Sequence, residues 1–153
     1  MMQKKYSPDF DVDVVIIGAG LSGCLLAHAI LMRTPTLKVL LVDNNPALHA
    51  SISHPGFDAR SIALSAGSCD LLDALDLWQA LKNKVTNIDD IHIFECGGWG
   101  MLDLKRQQDA FGVVAPLSVM GELLTDKLKQ YVQLTRLYNV NLSTLRQYRE
   151  HVI

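Results

Sequence analysis

Between Val14 and Asp43 the hydrophobic period of the chain changes twice, and this excludes most folds. Val14-Val15-Ile16-Ile17 is a β-branched apolar run, as expected for a strand buried on both faces of a parallel sheet. Gly18, Gly20 and Gly23 follow within six positions, each weakening a helix by about 1 kcal/mol relative to alanine. Helical spacing begins only afterwards, in LSGCLLAHAILMR, and Pro35 ends it. KVLLVD then reads as a second apolar strand that ends in Asp43. The order is strand, glycine turn, helix of about three turns, strand, which is the βαβ unit of a parallel α/β sheet.

Two other readings of the same residues fail on composition. No charged residue occurs from Val14 to Met32, a length close to the roughly 20 residues of a membrane span. The β-branched start and the three glycines break that stretch in its middle. Leu21-Ser22-Gly23-Cys24 has the form of a lipobox. A secretion signal, however, needs a positive segment running straight into its apolar core. Here Asp9, Asp11 and Asp13 stand between Lys4-Lys5 and the apolar run, and Cys24 continues into LLAHAILM, which demands burial.

Within this strand–turn–helix context the pattern G-x-G-x-x-G acquires chemical meaning. Gly18 permits the tight turn, Gly20 lets the backbone approach a pyrophosphate, and Gly23 lets the helix pack closely. The free N–H groups of the first helical turn, around Leu21 and Ser22, together with the partial positive charge there, favour a bound pyrophosphate. Asp43 follows Gly23 by 20 residues, the offset of the acid that accepts hydrogen bonds from ribose hydroxyls. An acid at that position repels a 2′-phosphate, so FAD or NAD is expected there rather than NADP.

Length and composition limit the remaining function classes. The 153 residues are enough for one domain, and 49% apolar with 20% charged residues is a globular balance. A formal charge of -2 provides no basic field for nucleic acid, and no nucleic-acid partner is expected. Cys24, Cys69 and Cys96 form no C-x-x-C pair, which suits reduced thiols in a cytoplasmic protein. The five histidines show neither H-x-x-x-H nor H-x-H spacing, so no metal site is expected.

After Asp43 the segment NNPALHASISHPGFDAR, residues 44–60, has two prolines, a glycine and no apolar periodicity. An NAD-binding domain moves promptly into its next crossover helix, whereas a loop of this length is characteristically functional. The helical pattern is expected to resume in SIALSAGSCDLLDALDLWQAL. The run H-P-G-F-D-A-R-S-I-A-L-S-A-G-S from His54 to Ser68, joined to the glycine motif, resembles the FAD-dependent aromatic-ring monooxygenases. More narrowly it resembles the hydroxylases of ubiquinone biosynthesis, the 2-octaprenyl-6-methoxyphenol hydroxylase family. The similarity extends through Leu72 to Trp78 and, more weakly, to about Leu128.

The resemblance implies FAD as cofactor, NADPH as co-substrate, O2 as oxidant and a polyprenylated phenol as substrate. It also implies contact with the inner face of a membrane rather than a span, and other enzymes of the ubiquinone pathway as partners. In that family the arginine of the F-D-x-R block lies along the flavin nucleotide, a role that falls here to Arg60; its alternative is a helix-start salt bridge with Asp58. The cofactor-binding set is therefore Gly18, Gly20, Leu21, Ser22, Gly23, Asp43 and Arg60.

Farther along, Ile91 to Phe94 and MLDL read as a hairpin around CGGWG, and Gly112-Val113-Val114 as a short strand. Apolar residues at 120, 123, 124, 128, 131 and 134 predict a helix from Val119 to about Leu137, with another strand at Asn139 to Thr144. The family often places a polar flavin contact near the start of this helix, where Gly121 stands here. The expected class is α/β: a Rossmann-like FAD-binding domain with a parallel βαβ sheet, plus the start of a substrate-covering β-sheet. The later family motif G-D-x-x-H-x-x-x-P does not occur in the sequence. Residues 1–153 are thus expected to be the N-terminal portion of a longer domain whose C-terminal half is absent, inactive by themselves. No side chain is assigned as catalytic. Two alternatives stand beside this reading: another FAD-dependent oxidoreductase of the same fold, and a non-catalytic nucleotide-binding remnant.

Overall fold

A computed structural model describes residues 11–47, 54–98, 100–106 and 110–142. Strand β1 (Val14–Ile17) leads through the glycine turn into helix α1 (Leu21–Arg33), and strand β2 (Val39–Val42) returns parallel to β1. Val39 to Val42 are all buried, as a central parallel strand requires. Strand β8 (Leu134–Leu137) joins the other edge of β2, also parallel, so the order is β1-β2-β8. This is the spatial order of half a Rossmann sheet. The long chain between β2 and β8 is an insertion into the second crossover.

That insertion carries its own antiparallel sheet, β3-β7-β4, made from β3 (Ser61–Ser65), β7 (Gly112–Pro116) and β4 (Thr86–Ile88). Helices α2 (Ala66–Ala74) and α3 (Trp78–Leu81) lie between β3 and β4. A separate hairpin pairs β5 (Asp90–Phe94) with β6 (Met101–Lys105) and exposes Phe94, Met101 and Leu102. Trp99, in its turn, lies outside the described residues. Helix α4 (Leu117–Leu128) then packs against α1 and leads to β8. Leu31, Leu41, Leu81, Leu124 and Phe57 belong to one buried cluster, so the parallel unit and the insertion share a core.

A polar pin crosses this core. The Nε2 of His28 lies 2.8 Å from the carbonyl of Leu75, and the Tyr131 hydroxyl lies 2.9 Å from Nδ1. Because a carbonyl only accepts, Nε2 carries the proton and the hydroxyl donates to Nδ1. One buried histidine thereby ties α1 to the end of α2 and to the turn after α4.

Four expectations from the sequence need correction. Ser61–Ser65 forms a strand rather than the start of a helix, because all five residues pair with β7. The stripe assigned to one helix up to about Leu137 divides at Leu128, and Leu134–Leu137 is β8. Apolar residues at 131 and 134 continue the helical spacing only by coincidence. The final strand accordingly lies at 134–137; residues 139–142 are not strand, and 143 and 144 lie outside the described residues. β1 is not buried on both sides, since Ile16 is buried while Val15 and Ile17 are exposed. The uncharged stretch from Val14 to Met32 is strand, turn and helix, and Cys24 lies buried inside α1. No helix among the described residues is long and apolar enough to cross a membrane.

Candidate nucleotide site

The three motif glycines have different local jobs. Gly18 has φ +101, a backbone conformation open to glycine and strained for other residues, and its N–H donates to the Val42 carbonyl at 2.7 Å. A Cβ on Gly23 would lie 1.8 Å from the Gly18 carbonyl oxygen, so only glycine lets α1 start against the turn. Gly20 caps α1 without a side-chain hydrogen bond, and the first turn holds no acidic residue. The N–H groups of Leu21, Ser22 and Gly23 take no partner among the described residues outside the helix. These are the donors from which helix-terminal anion sites are built.

Asp43 follows β2 directly and is buried. Its Oδ2 accepts the backbone N–H of Ala19, in the glycine turn. Its Oδ1 accepts the Asn45 backbone N–H at 2.7 Å and the Asn45 amide at 2.9 Å. Burial opposes the carboxylate's charge, but the bonds from Asn45 and Ala19 more than offset it. Asp43 is therefore held below the ordinary carboxylate range. In this arrangement both oxygens face protein donors.

Beyond the carboxyl ends of the parallel strands is a cleft of about 310 Å³, bounded by Gly18, Asp43, Asn44, Val140 and Asn141. Ligands of open α/β sheets bind in such a position. Another hollow, of about 340 Å³, belongs to the β5–β6 hairpin alone and is lined mostly by apolar residues. It lacks the converging backbone donors found at the strand ends.

A short 3-10 turn, Pro55–Phe57, straps the site. A Cβ on Gly56 would come within 2.9 Å of the Gly20 Cα, so the strap lies directly on the glycine turn. On its other side Phe57 is buried against α4, where a Cβ on Gly121 would meet the Phe57 ring at 2.5 Å. His54 begins the strap: its Nδ1 accepts the Gly56 N–H at 3.0 Å, and its Nε2 lies 3.4 Å from Asp43 Oδ2.

Arg60 sits at the foot of the strap. Its Nε lies 2.8 Å from both Asp58 oxygens, and its Nη2 donates to the Pro55 carbonyl at 3.1 Å. This is the ion pair with Asp58 that was the alternative to a nucleotide contact, and it precedes a strand rather than a helix. The side chain is 68% exposed. Gly18, Gly20, Leu21, Ser22, Gly23 and Asp43 thus converge at the carboxyl ends of β1 and β2, while Arg60 connects to them through the strap. Sequence reasoning gave no role to His54, Asn45 or Phe57. The signal available was a histidine directly before Pro-Gly, the place of a residue that caps a tight turn. Among the described residues no group of three His, Cys, Asp or Glu side chains is arranged to hold a metal.

Comparison with known proteins agrees with this geometry. Residues 13–82 match the family model described as lycopene cyclase protein. The chain is 31% identical over 139 residues to a ubiquinone hydroxylase, UbiL, of Rhodospirillum rubrum, covering 91% of this chain and 30% of the relative. It is 22% identical over 155 residues to a mitochondrial ubiquinone biosynthesis monooxygenase of Dictyostelium discoideum, covering 92% of this chain and 31% of the relative. The fold superimposes on the flavin-dependent monooxygenase PieE with a TM-score of 0.70 at 16% identity, over 95% of this chain and 27% of that one. The resemblance to the ubiquinone hydroxylases therefore holds along nearly the whole chain, which spans about a third of the length of these curated relatives and corresponds to their N-terminal region.

Proposed function

We propose that residues 1–153 form the nucleotide-holding N-terminal portion of a FAD-dependent monooxygenase of the ubiquinone hydroxylase kind. The observation that carries this reading is the uncapped start of α1 beside Asp43, which is itself bonded to the glycine turn. It occurs in a chain whose sequence similarity is to ubiquinone hydroxylases.

The residues present fit the diphosphate end of FAD. The N–H groups of Leu21, Ser22 and Gly23 would receive the pyrophosphate, and the left-handed turn at Gly18 leaves room for its approach. The cleft between Gly18 and Asn141 would hold the adenosine. Asp43 would meet the ribose through Oδ1, after the Asn45 amide gives way. Arg60 would exchange part of its exposed pairing with Asp58 for a phosphate oxygen. Bound FAD would supply the redox chemistry, reduced by NADPH and reoxidised by O2. This chain would bind and orient it, and the insertion would begin the wall over a polyprenylated phenol at the membrane surface. No residue here is assigned to proton transfer.

A second reading, a different flavin enzyme on the same fold, draws support from the lycopene cyclase match over residues 13–82. Product analysis separates the two. A protein carrying this segment is incubated with NADPH, O2 and a polyprenylated phenol. A product heavier by one oxygen supports the hydroxylase reading. Flavin binding with no oxygen incorporated would favour the second.

A further inference from the structure

His54 is nine-tenths buried, with only 4% of its side chain exposed, and none of the site's expected chemistry makes use of it. Its Nδ1 accepts the Gly56 N–H, which leaves the proton of a neutral ring on Nε2. That Nε2 has no hydrogen-bond partner among the described residues. It lies 3.4 Å from Asp43 Oδ2, near enough that a small turn of the ring would align its N–H on that oxygen. A buried donor in this state is unfavourable until it closes on an acceptor, and the acceptor in front of it is the acid of the nucleotide site.

The two oxygens of Asp43 are not equivalent. Oδ2 accepts from Ala19 and faces His54, whereas Oδ1 accepts both the backbone N–H and the side-chain amide of Asn45, a half-buried residue. Oδ1 can exchange the Asn45 side-chain amide for a ribose hydroxyl while keeping the Asn45 backbone N–H, and Oδ2 is the oxygen that His54 can still reach. The ring that faces Oδ2 also shapes the strap, which rests on Gly20 through Gly56.

We propose that His54 is a positioning residue of the nucleotide site. Its Nε2–H closes onto Asp43 Oδ2 when a nucleotide occupies the cleft, fixing the carboxylate so that Oδ1 meets the ribose hydroxyls. This rests on the nucleotide reading above. The diphosphate, held by the start of α1, does not depend on His54, whereas the ribose does.

The test compares wild type with His54→Asn, whose short amide can still accept from Gly56 but cannot reach Asp43. Dissociation constants are measured for ADP and for inorganic pyrophosphate, with the thermal midpoint of each free protein. The expected result is ADP weakened about tenfold, pyrophosphate unchanged and the midpoint close to wild type. Equal ADP affinity would overturn the proposal. So would equal weakening of ADP and pyrophosphate, which marks a purely structural role. Should the variant fail to fold, the 15N shift of His54 Nε2 in wild type decides: it moves on ADP addition if the contact closes and stays fixed if the proposal is wrong. Failure of wild type to bind either ADP or FAD would instead sink the nucleotide reading itself.

Discussion

The carboxylate of Asp43 accepts the backbone N–H of Ala19, 24 residues earlier in the chain. The acid after β2 and the glycine turn after β1 are therefore one hydrogen-bonded unit. The pH dependence of folding should carry this signature. Asp43 titrates lower in the folded chain than in the unfolded one, where a carboxyl has a pKa of about 4. Its contribution is complete above the unfolded value and lost as pH falls through the folded value. Asp43→Asn is expected to destabilise the chain at neutral pH, with the difference shrinking on acidification. Urea unfolding midpoints of both proteins across the acid range measure it; a constant difference at every pH would contradict the linkage.

Gly23 tests the turn from the helix side. A methyl at this position would lie 1.8 Å from the Gly18 carbonyl oxygen, and backbone cannot swing aside as a side chain can. Gly23→Ala should destabilise by about 1–3 kcal/mol, as overpacking does. It should also weaken FAD more than tenfold, because the donors at the start of α1 move with it. Chemical denaturation and a flavin titration on the same preparation separate the two effects.

Gly121 stands where the resemblance led to the expectation of a polar flavin contact. It faces the Phe57 ring, with room for hydrogen only. Gly121→Ala should cost about 1–3 kcal/mol through displacement of the strap. Gly121→Gln should be worse and should not gain flavin affinity. Denaturation midpoints of the two variants provide the check.

The parallel unit was legible because its signals are local. A β-branched run, three glycines and an apolar helical run follow one another, and each announces its own conformation. The errors lie where partners are distant in sequence. Ser61–Ser65 is a strand only because Gly112–Pro116 lies beside it. The end of α4 carries neither glycine nor proline, so the periodicity ran on to Tyr131 and Leu134 although the chain turns at Leu128. The glycine and acid positions of the candidate site were brought together as their spacing led one to expect. His54 was not, since its meaning comes from a strap folded across the turn onto Asp43.

The cysteines should react in an order set by their surroundings. Burial, and then the charge of Asp43, pushes the Cys24 thiol up to about 12, and its Sγ–H donates to the Ala19 carbonyl at 3.2 Å. Cys96 is exposed. Alkylation near neutral pH is expected to label Cys96 first and to reach Cys24 only on unfolding, because the thiolate is the nucleophile. Mass spectrometry of partially labelled chains reads the order; early labelling of Cys24 would place it outside the core.

Arg60 distinguishes a surface ion pair from a cofactor contact. It is exposed and paired with Asp58, so Arg60→Ala should leave the melting temperature of the free chain nearly unchanged. If the guanidinium also meets a phosphate oxygen, FAD binding weakens severalfold; an unchanged affinity would confine Arg60 to its pair with Asp58.

The most direct measurement is the titration of this chain with FAD, followed by flavin fluorescence, with NAD and NADP as competitors. Saturable one-to-one binding of FAD, weakened more than tenfold in Gly23→Ala and resistant to NADP, is the expected result. No saturable binding of FAD, or equal binding by wild type and the Gly23 variant, would contradict the assignment of this glycine turn as the cradle of a flavin nucleotide.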